Sequence, residues 1–500
     1  MLKYIDNIKR KILRTDSHAG SDAKERLKYL PFFTFIILLF VLGIDIKIAL
    51  VIVITSLILF WLLSSLKSSI LFALLIWPFF AGFVQNIIVE NQMDITFTPS
   101  RLFGIVIIMG SAIYIMVNVA LKRKNFLNHT VLLFYSLFTF WCLLTLLHSS
   151  DVIFAISDFT RLLIGYMVLI LVPQLFLTEN DTQKILKCMF FSTFILAAYI
   201  IVQYLLFSLF SINIILAQYY ETSKGVVRMG GVTGAGAAAA LLQIGLGINL
   251  FLYDMAVKKN KRRIYFISLI IITLAIFFTY ARTSLIGVLI FFCLWIIINL
   301  KKNRTSPTKF RAILAFIIIG FGIASYYIST SEAWRIRMSD TPMSEEAYTS
   351  EWGSGRGALW IQNIDAFKRS SLFVKLVGAG FGSDRLRLRF LGGFTGYSGT
   401  HNDYIALLRD VGLIGLAIYL AFIVFTLKLS VDLMKTQNKY YSSFGTVTFL
   451  IIVSYNLSQS LFGSAVFTVF HRLYYLVLLG LAISIWRLKN KPVLTELREK

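Results

Sequence analysis

Apolar stretches of about 20 residues, the length a helix needs to cross a bilayer, recur along almost the whole chain. That recurrence leaves few folds open. Lipid offers backbone N–H and C=O groups no partner, so a spanning segment is a helix or part of a closed barrel. A barrel strand alternates apolar and polar residues, whereas these segments are apolar all round. The sequence therefore predicts an all-α polytopic membrane protein, and its 57% hydrophobic content agrees.

A basic tail, residues 1–29, precedes the first apolar run and holds no cleavable leader pattern. Helices are then expected at about 30–43, 46–64, 69–89, 101–121, 130–148, 161–177, 184–210, 230–257, 264–280, 283–300 and 312–329. A large loop follows over residues 330–400. Three more helices are expected at about 401–429, 443–460 and 465–486, before a basic tail at 487–500. Under strict alternation of these fourteen segments, the clusters Lys122-Arg123-Lys124, Lys258–Arg263 and Lys301–Arg304 fall on the side of both termini. The positive-inside rule makes that side cytoplasmic. Transmembrane helices thus occupy 30–329 and 401–486, and the large loop is extracytoplasmic.

The formal net charge of +24 follows from these loops, which set orientation and meet anionic lipid. No nucleic-acid motif accompanies it, so nucleic acid is not expected as a partner. Cys142, Cys188 and Cys293 sit inside apolar segments without metal-ligand spacing, so neither a metal nor a cofactor is expected.

Several polar residues stand out on the outer side: Arg101, Arg161, Arg228, Arg282, Arg356 and His401. Arg282 lies between two long apolar helices with no nearby acid. It is either a snorkelling arginine or an anion anchor, since a guanidinium grips phosphate oxygens through two parallel hydrogen bonds. Arg228 precedes the run Gly230-Gly231-Val232-Thr233-Gly234-Ala235-Gly236. That run suits either a helix N-terminus that binds an anion or close helix packing.

In the loop, between Arg356 and Phe367, Trp360, Ile364 and Phe367 recur at i, i+4 and i+7, which predicts an amphipathic helix on the membrane surface. Trp352 and Trp360 suit sugar stacking or interfacial anchoring. Gly378-Ala379-Gly380-Phe381-Gly382 reads as a turn, and Arg385, Arg387 and Arg389 follow it. His401 is the candidate for proton transfer, because imidazole titrates near neutral pH; a structural histidine is the alternative. Asn402 and Asp403 adjoin it, and Gly412 and Gly415 are expected on its helix face. Arg409 and Asp410 bridge each other or face a cavity, and His471 reads as packing or as support for a site residue.

These residues resemble the O-antigen ligase and O-antigen polymerase superfamily of bacterial membrane glycosyltransferases. The resemblance covers about Arg228 to Leu429. It rests on His401-Asn402 followed by Gly412-x-x-Gly415, on Arg282 at a helix end, on Arg228 before a small-residue helix, and on Gly355-Arg356 with Trp360 and Gly378-x-Gly380. The resemblance implies a GT-C-type fold and metal-independent, inverting transfer from an undecaprenyl-diphosphate-linked glycan in the bacterial cytoplasmic membrane. Arg228, Arg282 and Arg356 would hold the diphosphate, and His401 would orient or deprotonate the acceptor hydroxyl. Polymerisation of a capsule, O-antigen or teichuronic-type polysaccharide is the preferred expectation. A ligase that passes finished polymer to lipid A core or another anchor is the alternative, and a lipid-linked oligosaccharide flippase is the competing class. Membrane lipids, a flippase and a chain-length regulator are the expected partners.

Overall fold

The computed structural model describes scattered positions between 67 and 78, residues 129–150, 152–214, 219–221, 227–231, 233–302, 307–331, 334, 356–383, 400–463, 466 and 469–490. Contacts divide the chain into Met1–Ser69 and Ile70–Lys500, and the elements below all belong to the second unit. The first, second and fourth expected helices, most of the third, Arg101, Trp352 and the Arg385–Arg389 triplet lie outside the described residues.

The helices in order are α1 (Thr130–Leu146), α2 (Val152–Leu175), α3 (Glu179–Phe210), α4 (Ala235–Met255), α5 (Lys259–Phe278), α6 (Arg282–Lys302) and α7 (Pro307–Thr330). Then come α8 (Arg356–Arg369), α9 (Leu372–Val377), α10 (Asp403–Asp410), α11 (Gly412–Met434), α12 (Lys439–Tyr455) and α13 (Val469–Lys489). A π-helical segment, Asn456–Ser460, continues α12. Five helices among the described residues are long and apolar enough to cross a membrane: parts of α2 and α6, and all of α3, α4 and α11.

Burial sorts these helices into layers. The spanning window of α4 is 89% buried and that of α11 only 33%. A helix that is apolar all round belongs inside a bundle. In α4 and α13 almost every side chain is covered, from Ala238 to Phe251 and from Leu473 to Ile485. Helix α13 packs closely on α2, and α4 on α5 and α12. Small residues make the first approach possible: a Cβ on Gly165 would stand 2.5 Å from Leu476, and one on Gly480 2.8 Å from Val172. The outer helices keep apolar residues uncovered, such as Leu133, Leu137, Phe140 and Leu144 on α1 and Leu420 and Val424 on α11. Such contiguous exposed apolar faces fit lipid contact.

Three expectations are corrected. The region around Asp158 and Arg161 is not an outer link but helix: α2 begins at Val152, and Arg161 Nη1 pairs with Asp158 Oδ1 at 2.8 Å within it. An i,i+3 ion pair lets the helix carry both charges. The glycine run at 230–234 is a turn outside α4. It follows a small antiparallel hairpin that pairs Tyr219–Glu221 with Val227–Met229, a strand element the all-α reading lacked. The helix expected from His401 to Leu429 is broken into α10 and α11, because Val411 (φ −120°) and Gly412 (φ 67°) leave helical geometry.

Candidate functional site

The junction between α5 and α6 is tight. Thr279 Oγ1 donates to Ile276 O at 2.6 Å and accepts from Ala281 N at 3.2 Å. Tyr280 takes a left-handed φ of 52°, a conformation that costs a bulky residue energy and persists only when its surroundings enforce it. Trp334, fully buried, does so: its ring lies 4.9 Å from those of both Phe277 and Tyr280. Arg282 then opens α6. Arg228, on the second hairpin strand, donates Nε to Thr279 O at 3.2 Å. Thr279 is the C-terminal cap of α5, so the guanidinium sits on the negative end of a helix and is held three residues from Arg282.

Arg356 is anchored in the same manner. Its Nη1 donates to Phe462 O at 2.5 Å, where the helical run of α12 and the π segment ends. Trp360, one turn on, faces Phe462 at 6.1 Å and donates Nε1 to Thr400 O at 2.7 Å. The Trp360 side of α8 thus turns partly towards the protein.

Thr400 leads into His401, which is half-buried and has φ 52°. Histidine is among the residue types that tolerate this region. The turn presents His401 ahead of α10 rather than on its face, so Gly412 and Gly415 do not share a helix face with it. Asn402 is the N-cap: its Oδ1 accepts from Tyr404 N at 3.0 Å and from Ile405 N at 3.1 Å. Asp403 is buried, and its Oδ2 accepts from Val466 N at 3.0 Å.

The glycine run is a strut. Gly378, Gly380 and Gly382 have φ of 103°, 107° and 83°. Ala379 N donates to Arg409 O at 2.9 Å, Gly380 N to Asp410 O at 3.1 Å and Gly382 N to Asp410 Oδ2 at 3.0 Å. Its amides therefore dock the loop onto the end of α10 and do not cradle a phosphate. Asp410, expected to bridge to Arg409 or face a cavity, thus also anchors the glycine run. Gly412 completes the fit: a Cβ there would meet Leu376 O at 2.4 Å.

The two arginine sites are joined through the π segment. Gln459 Nε2 donates to Ser284 Oγ, in the first turn of α6, at 2.8 Å, and to Gln243 Oε1 on α4 at 3.1 Å. Three residues later comes the carbonyl held by Arg356. Hydrogen bonds thus tie Arg228 to Thr279, Gln459 to Ser284, Arg356 to Phe462 and Trp360 to Thr400, the residue before His401.

Sequence reasoning missed Gln243, Gln459, Trp334 and Arg472. Arg472 is buried in the first turn of α13, donates Nη2 to Tyr135 Oη at 2.5 Å and stands 5.6 Å from that ring's centre. Its neighbour His471 hydrogen-bonds Tyr455 and is buried, which fits the packing role read from sequence. For Gln243, Gln459 and Arg472 the available signal was a polar residue inside an apolar stretch, which is costly and therefore informative; Trp334 carried no such signal.

Arg228 and Arg356 are thus each bonded to the carbonyl at the end of a helical run, and His401 sits in a left-handed turn just after the residue that Trp360 holds. No curated protein matches the chain. Residues 266–420 match the family model described as O-antigen ligase. The matched segment contains Arg282, Trp334, Arg356, His401, Gly412 and Gly415. That match supports the resemblance to the superfamily of O-antigen ligases and polymerases.

Proposed function

We propose that the protein polymerises a bacterial surface polysaccharide, a capsule, O-antigen or teichuronic-type glycan, on the outer face of the cytoplasmic membrane. The donor is an undecaprenyl-diphosphate-linked glycan, and the acceptor is the hydroxyl of another lipid-linked repeat. The observation that supports this reading is the set of hydrogen bonds that fix Arg228 at the α5–α6 junction before Arg282, the start of α6 to Gln459, Arg356 to Phe462, and Trp360 to the residue before His401. In this reading the fold is GT-C-type with fourteen spans, both termini are cytoplasmic and the 330–400 loop is extracytoplasmic.

Arg282, Arg228 and Arg356 hold the diphosphate. The carbonyl oxygens of Thr279 and Phe462 orient the guanidinium groups of Arg228 and Arg356 and fix them in place. The acceptor oxygen attacks the anomeric carbon, the bond from that carbon to the phosphate oxygen breaks, and lipid diphosphate leaves with both electrons of that bond. Charge builds on the leaving oxygen, and preorganised cations stabilise it. His401 takes the acceptor's proton. Asn402 fixes the turn that presents His401, Asp403 ties α10 to Val466, Trp360 faces the sugars, and Arg409 lends its carbonyl to loop docking.

A ligase reading has one observation in its favour, the description of the matching family model. Lipid-linked intermediates in a strain lacking the protein separate the readings. Single repeats accumulating on the outer leaflet support the polymerase. Long lipid-linked polymer on that leaflet supports the ligase. Single repeats held on the cytoplasmic leaflet would mean a flippase and remove His401 from chemistry. Arg282→Ala and His401→Ala should insert normally and make no product.

A further inference from the structure

The π segment Asn456–Ser460 continues α12 and packs against α6, and its four polar side chains are buried. Asn456, Ser458, Gln459 and Ser460 are all at most 6% exposed. A π turn inside a helix is rare and recurs at functional sites. Here it interrupts the regular ladder just before the chain end that Arg356 caps. Gln459 divides its amide between Gln243 on α4 and Ser284 on α6. Gln243 is itself held by Ser454 Oγ at 3.2 Å, and Ser458 Oγ donates to Ser454 O at 2.7 Å. Gly287 clears the space: a Cβ there would lie 2.4 Å from Gln243 Nε2 and 2.5 Å from Ser458 Oγ. The small residue, the two glutamines and the serines belong to one built network, not to incidental packing.

What the network holds is the first turn of α6. Ser284 is two residues past Arg282, and the α5–α6 junction before it is already in a left-handed turn at Tyr280. The start of α6 is therefore pinned from two directions, by Thr279 and Trp334 on one side and by Gln459 on the other. The same stretch offers Phe462 O to Arg356 three residues after Gln459. One short segment thereby sets the positions of two of the three arginines assigned to the diphosphate. Residues 456–462 lie outside the 266–420 family match.

We propose that Gln459 is a positioning residue for donor binding, holding Arg282 through Ser284 so that it and Arg356 grip the two phosphates of a lipid diphosphate together. This rests on the assignment of Arg282 to the diphosphate. The test is glycosyl transfer by the purified full-length protein in proteoliposomes, with a lipid-diphosphate-linked oligosaccharide as donor. Gln459→Ala and Ser284→Ala should each raise the KM for donor or cut kcat/KM by about tenfold or more, the cost of a small misplacement. The KM for acceptor should stay unchanged. The double variant should be no worse than the weaker single one. In an Arg282→Lys background, which retains charge, Gln459→Ala should cost less than threefold.

Donor KM and kcat/KM at wild-type values in Gln459→Ala, with Arg282→Ala inactive, would overturn the proposal and leave the diphosphate assignment standing. Equal rises in donor and acceptor KM, or full additivity with Arg282→Lys, would mean general loosening and also overturn it. Wild-type transfer by Arg282→Ala alone would remove the assignment itself, and the proposal with it. Should Gln459→Ala not insert, Gln459→Met, which keeps the volume, replaces it in every arm.

Discussion

Replacing Gly412 by alanine puts the docking of the outer loop to a direct test. Gly412 has φ 67°, so any other L-residue there adopts the left-handed region at a cost of about 1–2 kcal/mol. The added Cβ would lie 2.4 Å from Leu376 O and 2.6 Å from Gly378 N. Both are backbone atoms and cannot rotate away, so the α9–Gly378 segment must retreat, at the about 1–3 kcal/mol typical of overpacking. The expected loss is about 2–5 kcal/mol, concentrated at the contact between residues 376–383 and 409–412. Amide hydrogen exchange on the purified protein reads it locally. Ala379, Gly380 and Gly382 N–H groups are bonded to Arg409 and Asp410, and in Gly412→Ala they should exchange at least tenfold faster, with a lowered Tm. Gly236→Ala is the control, since its Cβ meets nothing within 4 Å. Wild-type protection of these three amides together with an unchanged Tm in Gly412→Ala would refute the docking argument.

Further outcomes follow from the same geometry. Asp410→Ala removes the acceptor for Gly382 N and should cost about 1–3 kcal/mol, read as a lower Tm and faster exchange at Gly382. Trp334→Ala empties a fully buried site against Phe277 and Tyr280 and should cost about 3–5 kcal/mol; a loss under about 1 kcal/mol in thermal unfolding would contradict that packing. Gly320→Ala, in α7 with nothing within 4 Å of the new Cβ, should raise stability by up to about 1 kcal/mol. His129 caps α1 by accepting from Val131 N through Nδ1 and lies edge-on to Trp486. Burial lowers its pKa to about 4 from an ordinary 6.5. The unfolded chain therefore takes up the proton first, and stability falls as pH drops from 6.5 through 4. In His129→Asn, which caps without titrating, that part of the pH dependence should vanish from Tm scans.

Much of the fold was legible because membrane helices are written in hydropathy. The lengths and ends of α1, α3, α6 and α13 lie within a few residues of the expected segments, since lipid enforces one simple rule on every spanning stretch. The α2 start was hidden because Asp158 and Arg161 satisfy each other and let helix extend through charges that read as loop. Among candidate site residues, arginine positions could be named from topology, but not what holds them. That Arg228 caps α5 and Arg356 caps the run after α12 depends on contacts 51 and 106 residues apart.

The sequence by itself determined a mainly helical membrane protein and singled out Arg228, Arg282, Arg356 and His401 as candidates, because burial in lipid and the cost of charge there act on residue type alone. Only the tertiary structure decided how that chemistry is held. The break at Gly412, the left-handed turn at His401, the glycine strut on Asp410 and the Gln459 bridge all arise where two distant backbones meet within van der Waals or hydrogen-bonding distance. Such meetings are set by packing among many helices, and no local pattern of residues encodes them.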